Sequence, residues 1–148
     1  MLKAAFFETD ITPKLYECMP GQFELRSAMT IYDPLYAHAL AVERDGEGFI
    51  IVSLDCICIE RQEVLAIRRR VFDATGVRNV SVSGIHNHTG GPVANLYASP
   101  KSEDYCAFLA TRAADAAIIA WQRLEPAKIG WAAKDVYGLS FNRRFLFK

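Results

Sequence analysis

The chain has 148 residues, of which 51% are hydrophobic and 23% are charged, so it can bury one sizeable core as a single domain. Its 17 acidic and 17 basic residues balance, which argues against a partner such as nucleic acid or an anionic membrane surface. No apolar run has the length of a membrane span, and the apolar run at the N-terminus is too short for a secretory signal.

The four cysteines do not have the spacing of a structural zinc site. Only two of them are close in sequence, and Cys-x-Cys is not the paired Cys-x-x-Cys pattern. We predict reduced thiols in a cytoplasmic protein, and an exported precursor whose signal has been removed stays open as the alternative. The cysteines are Cys18, Cys56, Cys58 and Cys106.

The first quarter of the chain predicts two strands separated by a long loop. Residues 2–7 are mostly apolar, and Pro13 prevents the strand from continuing because it has no backbone N–H to donate. Residues 14–30 show no period and contain Pro20-Gly21, which indicates a loop over the surface or over a site. A second strand is predicted at 35–42.

The middle of the chain predicts a βαβ unit. Residues 49–54 are nearly all apolar and β-branched, which is typical of a strand covered on both faces. Apolar residues then recur at spacings of three and four over 60–75, which predicts a helix that Gly76 ends. Residues 80–85 predict the next strand. A crossover of this kind makes the two strands parallel.

The last third predicts a second helix and two further strands. Ser99 is a favourable N-cap residue, so we predict a helix over about 100–122. Strands are predicted at 127–137 and 138–147. The whole chain is therefore predicted to be an α/β protein, in which helices pack on a mixed sheet.

The candidate site lies at the carboxyl ends of the two parallel strands. His86 and His88 directly follow strand 80–85, and an extended His-x-His directs both rings to one side. Asp55 directly follows strand 49–54, so it is expected at the same edge of the sheet. Two imidazoles and a carboxylate there predict a metal or acid–base site. Ordinary loop and turn roles are the alternative for each residue by itself.

Several segments, in the same order along the chain, resemble the neutral ceramidase family of N-acylsphingosine amidohydrolases. The motif His-Asn-His-Thr-Gly-Gly-Pro at 86–92 is similar to the family's His-Thr-His-Ser-Gly-Pro. The other matching segments are Asp-Ile-Thr-Pro at 10–13, Asp-Pro-Leu-Tyr-Ala at 33–37, Val-Ser-Leu-Asp at 52–55 and Phe-Asn-Arg-Arg at 141–144.

The resemblance implies a zinc-dependent amide hydrolase that acts on a small N-acylated substrate. It implies that His88 binds a single zinc ion and that His86 lies beside the metal and contacts the substrate. Zinc chemistry suits such a reaction, because the ion polarises a carbonyl and lowers the pKa of water. We therefore take His86 and Asp55 as catalytic candidates and His88 as the metal ligand.

Four further residues are candidates for substrate binding. Gly90 and Gly91 have no side chain and would allow the backbone to approach a ligand closely. Asn142 and Arg143 belong to the segment that resembles a later Asn-Arg element of the family.

The chain departs from the family pattern at two places. Tyr32 stands where family members usually carry another zinc-binding His, and His38 stands where an Arg is usual. We predict that His38 is a hydrogen-bonded strand residue. The family's other ligands, a Glu and a Tyr, come from a later part of a longer chain. Residues 1–148 are therefore expected to be a single domain that forms the N-terminal portion of a longer ceramidase-like catalytic domain. Low zinc occupancy is expected, together with either a homo-oligomer or a missing C-terminal portion.

Two alternatives to a zinc hydrolase remain open from the sequence. The first is a non-catalytic module that keeps the fold and uses the crevice around the histidines for binding or assembly. The second is a hydrolase that uses Cys56 or Cys58 as the nucleophile and His86 as the base.

Overall fold

A computed structural model describes residues 1–142, 144, 146 and 147 as an open five-stranded mixed sheet with two helices, which confirms the predicted α/β class. In chain order the elements are β1 (Leu2–Asp10), β2 (Tyr36–Arg44), β3 (Glu47–Leu54), α1 (Arg61–Thr75), β4 (Asn79–Gly84), α2 (Glu103–Gln122) and β5 (Glu125–Pro126). Within these described residues, neither helix combines the length and the apolar character that crossing a bilayer requires.

The strands follow the order β4-β3-β2-β1-β5 across the sheet. β3 and β4 are parallel, with Ile50 opposite Val80, while β1–β2, β2–β3 and β1–β5 are antiparallel. The predicted βαβ unit is therefore confirmed. The carboxyl ends of β3 and β4 lie next to each other, with Leu54 opposite Gly84, and the site residues follow directly from these ends.

Helix α1 ends as its sequence predicts. Gly76 has a φ of 76°, and its N–H donates to the carbonyl oxygen of Phe72. Among the α1 residues predicted to face the core, Ile67 and Val71 are fully buried, whereas Ala74 is exposed. One acidic residue, Glu63, is also buried, near the start of the helix.

Helix α2 spans Glu103–Gln122, which agrees with the helix predicted over about 100–122, but the predicted N-cap is wrong. Ser102, not Ser99, is the N-cap, and its hydroxyl accepts the N–H of Tyr105 at 3.2 Å. Ser99 instead forms a tight backbone bridge with Leu96, in which each N–H donates to the carbonyl oxygen of the other residue. Glu103 follows the cap and suits the positive end of the helix dipole.

The core lies on one face of the sheet, where α2 packs against β1, β2 and β3 and against α1. Alternate residues of β3 point to this face, and Ile50, Val52 and Leu54 are fully buried there. The prediction that β3 is covered on both faces is wrong, since Phe49 and Ile51 are 43% and 42% exposed. Their side of the sheet also carries Phe6 and Leu40, which are exposed.

The two strands predicted at 127–137 and 138–147 are wrong for the described residues, which form no strand after Pro126. Only Glu125 and Pro126 pair with β1, followed by one further bond from the N–H of Ala127 to the carbonyl of Leu2. The antiparallel direction then carries the chain past the beginning of β1, so β1 offers these residues no further partner. Residues 143, 145 and 148 lie outside the described residues.

Candidate metal and active site

The two histidines predicted from the sequence form a close pair with a fixed orientation. The Nε2 atoms of His86 and His88 are 3.2 Å apart, and the rings meet edge to face with centroids 4.7 Å apart. Each Nδ1 lies against a carbonyl oxygen, that of Ile57 at 3.0 Å for His86 and that of Gly21 at 2.9 Å for His88. Because a carbonyl only accepts, each Nδ1 carries the proton, and in the neutral rings each Nε2 keeps a lone pair.

A backbone turn brings the two rings together. The sequence argument assumed an extended His-x-His, but β4 ends at Gly84 and His86 has a φ of 70°. That left-handed conformation is uncommon for a residue with a side chain and persists where surrounding contacts hold it. Here the N–H groups of His86 and Asn87 both donate to the carbonyl of Cys56, which ties the turn to the end of β3.

The long loop at 14–30 folds over the histidine pair, which is the second of the two positions that its composition left open. Its Gly21 carbonyl accepts the Nδ1 proton of His88, and its Arg26 guanidinium donates to the carbonyl of His88 at 2.6 Å. An N–H held by a backbone carbonyl fixes the tautomer and the ring orientation of a histidine, as is usual for metal ligands. These two contacts with the loop therefore fix the position of His88.

Two residues of this loop were missed by the sequence argument. Gly21 has a φ of 103°, and a Cβ atom there would lie 2.6 Å from Nδ1 of His88. The Pro20-Gly21 pair was available as a signal of a tight turn, but its position against His88 depends on the fold. Arg26 carries no local signal, since one arginine in an irregular loop is indistinguishable from a solvated surface residue.

Asp55 lies at the carboxyl end of β3 as predicted, but its carboxylate is engaged on the opposite side from the histidine pair along the strand order. It accepts the N–H of Tyr36 at 2.9 Å and lies 3.5 Å from Nε2 of His38. No hydrogen bond among the described residues joins Asp55 to His86 or His88. A catalytic role for Asp55 stays a prediction.

His38 lies on a strand as predicted, but its ring contacts carboxylates and makes no hydrogen bond to the described residues. Its ring lies on β2 between two carboxylates, with Nδ1 3.2 Å from Glu8 and Nε2 3.5 Å from Asp55. The aromatic rings of Phe6 and Tyr36 flank it at centroid distances of 6.0 and 5.8 Å. These contacts account for His38 within the sheet and separate it from the histidine pair.

Gly90 and Gly91 make their close approaches to the protein itself. A Cβ atom at Gly90 would lie 3.0 Å from the carbonyl oxygen of Asp55, and one at Gly91 would overlap the ring of Tyr105. Both glycines are buried. Internal packing therefore explains the absence of a side chain at both positions, and their contact with a substrate stays a prediction.

The remaining predicted site residues are not gathered around the histidines. Tyr32 is almost fully exposed, and Asn142 is exposed, with its side-chain oxygen accepting the N–H of Arg144. Arg143 lies outside the described residues. Within the described part of the chain, no group of three or more His, Cys, Asp or Glu side chains could hold a metal ion.

A cleft of about 360 Å³ opens beside the histidine pair. Asn87 and Thr89, which flank His88 in sequence, form one wall, and the other walls come from the long loop and from the segments on either side of it. Its lining mixes apolar and polar side chains, and includes Pro13, Met19, Ile31, Tyr32 and Leu35. Space of this kind can hold a small organic substrate, although neither histidine ring lines it.

The thiol groups are poorly suited to act as nucleophiles. Cys56 is fully buried, its thiol donates to the carbonyl of Cys58 at 3.0 Å, and burial raises its pKa to about 12. Burial also raises the pKa of Cys58. The cysteine-nucleophile alternative is therefore disfavoured, because the reactive form is the thiolate.

Alkylation tests this conclusion directly. At pH 8 we expect iodoacetamide to label Cys56 of the native chain about a thousandfold more slowly than Cys56 of the unfolded chain, because a pKa raised from 9 to about 12 removes most of the thiolate. Mass spectrometry of the labelled peptides measures this, with the partly exposed Cys18 as the internal control. Equal labelling rates for Cys56 and Cys18 in the native chain would contradict it.

No protein-family model matches this sequence, and no curated protein matches it. Solved structures do match. Neutral ceramidase from Pseudomonas aeruginosa superposes with a TM-score of 0.74 at 21% identity, over 84% of this chain and 22% of that one. The chain has the fold of a segment of neutral ceramidase. A ceramidase complexed with C2 matches equally well, with a TM-score of 0.74 and 22% identity over the same shares.

The ceramidase-like fold thus extends over most of this chain, which in turn spans about a fifth of the length of the two ceramidase chains. The resemblance drawn from short motifs is confirmed at the level of the fold. At this sequence identity, the likeness concerns the fold alone, and activity is a separate question.

Proposed function

We propose that this chain carries part of the active site of a zinc-dependent amide hydrolase with a ceramidase-like fold, acting on an N-acylated substrate. The single observation that carries the proposal is the orientation of the histidine pair. Both Nδ1 protons are held by backbone carbonyls, so the Nε2 lone pairs of His86 and His88 converge to 3.2 Å. Two lone pairs that face each other this closely repel unless a cation or a shared proton lies between them.

The nitrogen donors of the histidine pair are compatible with zinc. Neutral imidazole is a preferred zinc ligand, and Nε2 of His88 offers a lone pair for the ion, with Nε2 of His86 beside it at 3.2 Å. A zinc site needs three or more protein ligands, and among the described residues we propose only His88 as a direct one. Further ligands must therefore come from outside this cluster, and zinc held by this chain alone is expected to be labile.

The two histidines have different surroundings, which supports different roles. His88 is partly buried and is held from behind by Gly21 and Arg26, so it suits a fixed metal ligand. His86 is exposed, and its Nε2 can accept a proton and, once protonated, donate to a substrate oxygen. Zinc, when bound, polarises a carbonyl group and makes water a nucleophile near neutral pH.

The metal contents of three histidine variants test these roles. We expect His88→Ala to abolish zinc retention and His86→Ala to keep it while reducing any hydrolysis, since only His88 is proposed as a direct ligand. His38→Ala is the matched control and should keep zinc, because its ring lies between Glu8 and Asp55. Zinc per chain is measured by atomic spectrometry after equilibration with zinc and removal of the excess. Equal loss in His86→Ala and His88→Ala would mean that the pair binds symmetrically.

A non-catalytic module is the second candidate, and one observation favours it. Fewer than three metal-ligating groups are gathered at the pair among the described residues. An assay on N-acyl amides with added zinc separates the candidates when it is run on a protein that includes the missing ligands. Zinc retention without hydrolysis in that protein would support the module.

A further inference from the structure

The two histidines of the pair are held by different parts of the chain. The long loop holds His88, whose Nδ1 donates to the carbonyl oxygen of Gly21 at 2.9 Å. The segment that follows β3 holds His86 through two bonds. The backbone N–H of His86 donates to the carbonyl oxygen of Cys56 at 3.1 Å, and its Nδ1 donates to that of Ile57 at 3.0 Å. The position of each ring therefore depends on a different segment.

Asp55 lies at the point where the segment that holds His86 leaves the sheet. The N–H of Cys56 donates to the carbonyl oxygen of Leu54 at 2.8 Å, which makes Asp55 the central residue of a three-residue γ-turn. A turn this short has only one hydrogen bond of its own. The contacts of Asp55 therefore decide the direction in which the chain continues through Cys56 and Ile57.

Asp55 is bound to the first residue of β2 by both its backbone and its side chain. Its N–H donates to the carbonyl oxygen of Tyr36 at 3.0 Å, and its Oδ2 accepts the N–H of Tyr36 at 2.9 Å. The carboxylate thereby takes the place of a backbone carbonyl and extends the pairing of β2 with β3 beyond Ala37 and Leu54. Its side chain is only 18% exposed, and hydrogen bonds to an ionised acceptor are stronger than those between neutral groups. These bonds lie within the sheet, so they do not depend on what covers its surface.

We propose that Asp55 is a positioning residue for His86, while the long loop positions His88 separately. By holding the turn on β2, Asp55 keeps the carbonyl groups of the next two residues where they accept the two N–H groups of His86. Those bonds are needed because His86 has a φ of 70°, which is uncommon for a residue with a side chain and persists where contacts hold it. This role of Asp55 deepens the proposed function and rests on it only for the use of His86 in hydrolysis.

One conservative variant separates positioning from acid–base catalysis by Asp55. Asp55→Asn keeps a side-chain oxygen that can accept the N–H of Tyr36, but it removes the negative charge. Positioning needs only the acceptor, whereas a general base needs the carboxylate. We therefore expect Asp55→Asn to preserve the placement of His86 and Asp55→Ala to lose it.

The test reads the tautomers of the histidine rings in the full chain without zinc. Long-range proton–nitrogen NMR spectra, recorded where the rings are neutral, distinguish a protonated ring nitrogen from one with a lone pair. The chain has three histidines, so replacing each one in turn assigns the signals. Because the hydrogen bond of a ring sets its tautomer, wild-type His86 and His88 should both be protonated at Nδ1.

The two anchors should respond independently. In Asp55→Ala we expect His86 to lose its single tautomer and become a mixture of both, while His88 stays protonated at Nδ1. Asp55→Asn should give the wild-type spectrum. Gly21→Ala is the matched control with the reverse pattern, since its new Cβ would lie 2.6 Å from Nδ1 of His88. A general loss of stability would instead affect both rings together.

Three results would overturn the positioning role of Asp55: an unchanged His86 in Asp55→Ala, an equal change in both rings, or the same change in Asp55→Asn. Circular dichroism checks that Asp55→Ala is folded. If it is not, Tyr36→Pro replaces it and should give the same spectrum, because proline has no N–H for the carboxylate to accept. Zinc retention by the wild-type chain is measured separately. Failure to retain zinc, with His86 still dependent on Asp55, would count against the proposed function and support the positioning role.

Discussion

Replacing Lys101 by Met is expected to lower the free energy of unfolding by about 3–5 kcal/mol, because it leaves a buried carboxylate without its counter-charge. The Lys101 side chain is 5% exposed and that of Glu63 is 6% exposed, and their charged atoms are 2.8 Å apart. The other oxygen of Glu63 is buried without a hydrogen-bond partner. Urea unfolding followed by circular dichroism measures the loss.

The position of Lys101 explains why this effect should matter for the site. Lys101 precedes α2 and pairs with Glu60 and Glu63 at the beginning of α1, so it ties the ends of both helices to the segment that follows His88. These two carboxylates raise the pKa of Lys101, so wherever the carboxylates are ionised the ammonium group stabilises the fold, and this effect is lost as the pH rises into strongly alkaline solution.

Two further variants identify the cause. Glu60→Gln should cost about 1 kcal/mol or less, because that carboxylate is 45% exposed and screened by water. Lys101→Met/Glu63→Leu should recover about half of the loss, since it removes the unpaired charge together with its partner. If the double variant is less stable than Lys101→Met, the loss does not come from an uncompensated charge.

Replacing Gly21 by Ala is expected to lower zinc affinity at least about tenfold and to destabilise the chain by about 2–3 kcal/mol. The new Cβ would lie 2.5 Å from Cδ1 of Ile57 and 2.6 Å from Nδ1 of His88, and the φ of 103° is unfavourable for alanine. The ring of His88 has to move, and with it the bond from Nδ1 to the carbonyl of Gly21. Loss of such an outer bond typically weakens metal binding 10–100-fold.

The variant Gly46→Ala serves as a control that distinguishes the effect of the steric clash at Gly21 from the effect of backbone strain. Gly46 also has a positive φ, of 88°, but a Cβ atom there has no neighbour within 4 Å. It should cost about 1 kcal/mol and leave zinc affinity unchanged. Calorimetric titration with zinc and thermal unfolding of both variants give the two readouts. Unchanged zinc affinity in Gly21→Ala would mean that the loop does not position His88.

Local sequence patterns were sufficient for the elements that their own residues specify. The three- and four-residue apolar spacing of 60–75 and the glycine that follows it predict α1 to within one residue of its observed start. The β-branched runs on either side of it predict β3 and β4, and the crossover rule then predicts that they are parallel. From these, the proximity of the histidine motif to the end of β3 follows without further information.

The same patterns failed where a contact distant in sequence decides the outcome. The C-terminal residues are rich in strand formers. The antiparallel direction of β5 carries them past the beginning of β1, so they cannot pair with that strand. The N-cap of α2 is Ser102 and not Ser99, whose backbone is bonded to Leu96. The sequence wrongly predicts that both faces of β3 are buried, because apolar residues alone do not reveal which face a helix covers.

The candidate site divides in the same way. The sequence by itself determined that His86 and His88 follow a strand of a βαβ unit and that a loop of irregular composition precedes the second strand. Only the tertiary structure decided that the loop lies over the pair, that Gly21 and Ile57 accept the two Nδ1 protons, and that Asp55 turns to His38. The physical reason is that spacing along the chain specifies local dihedral angles and faces, whereas the direction of a side chain at a site depends on partners that are up to 67 residues away.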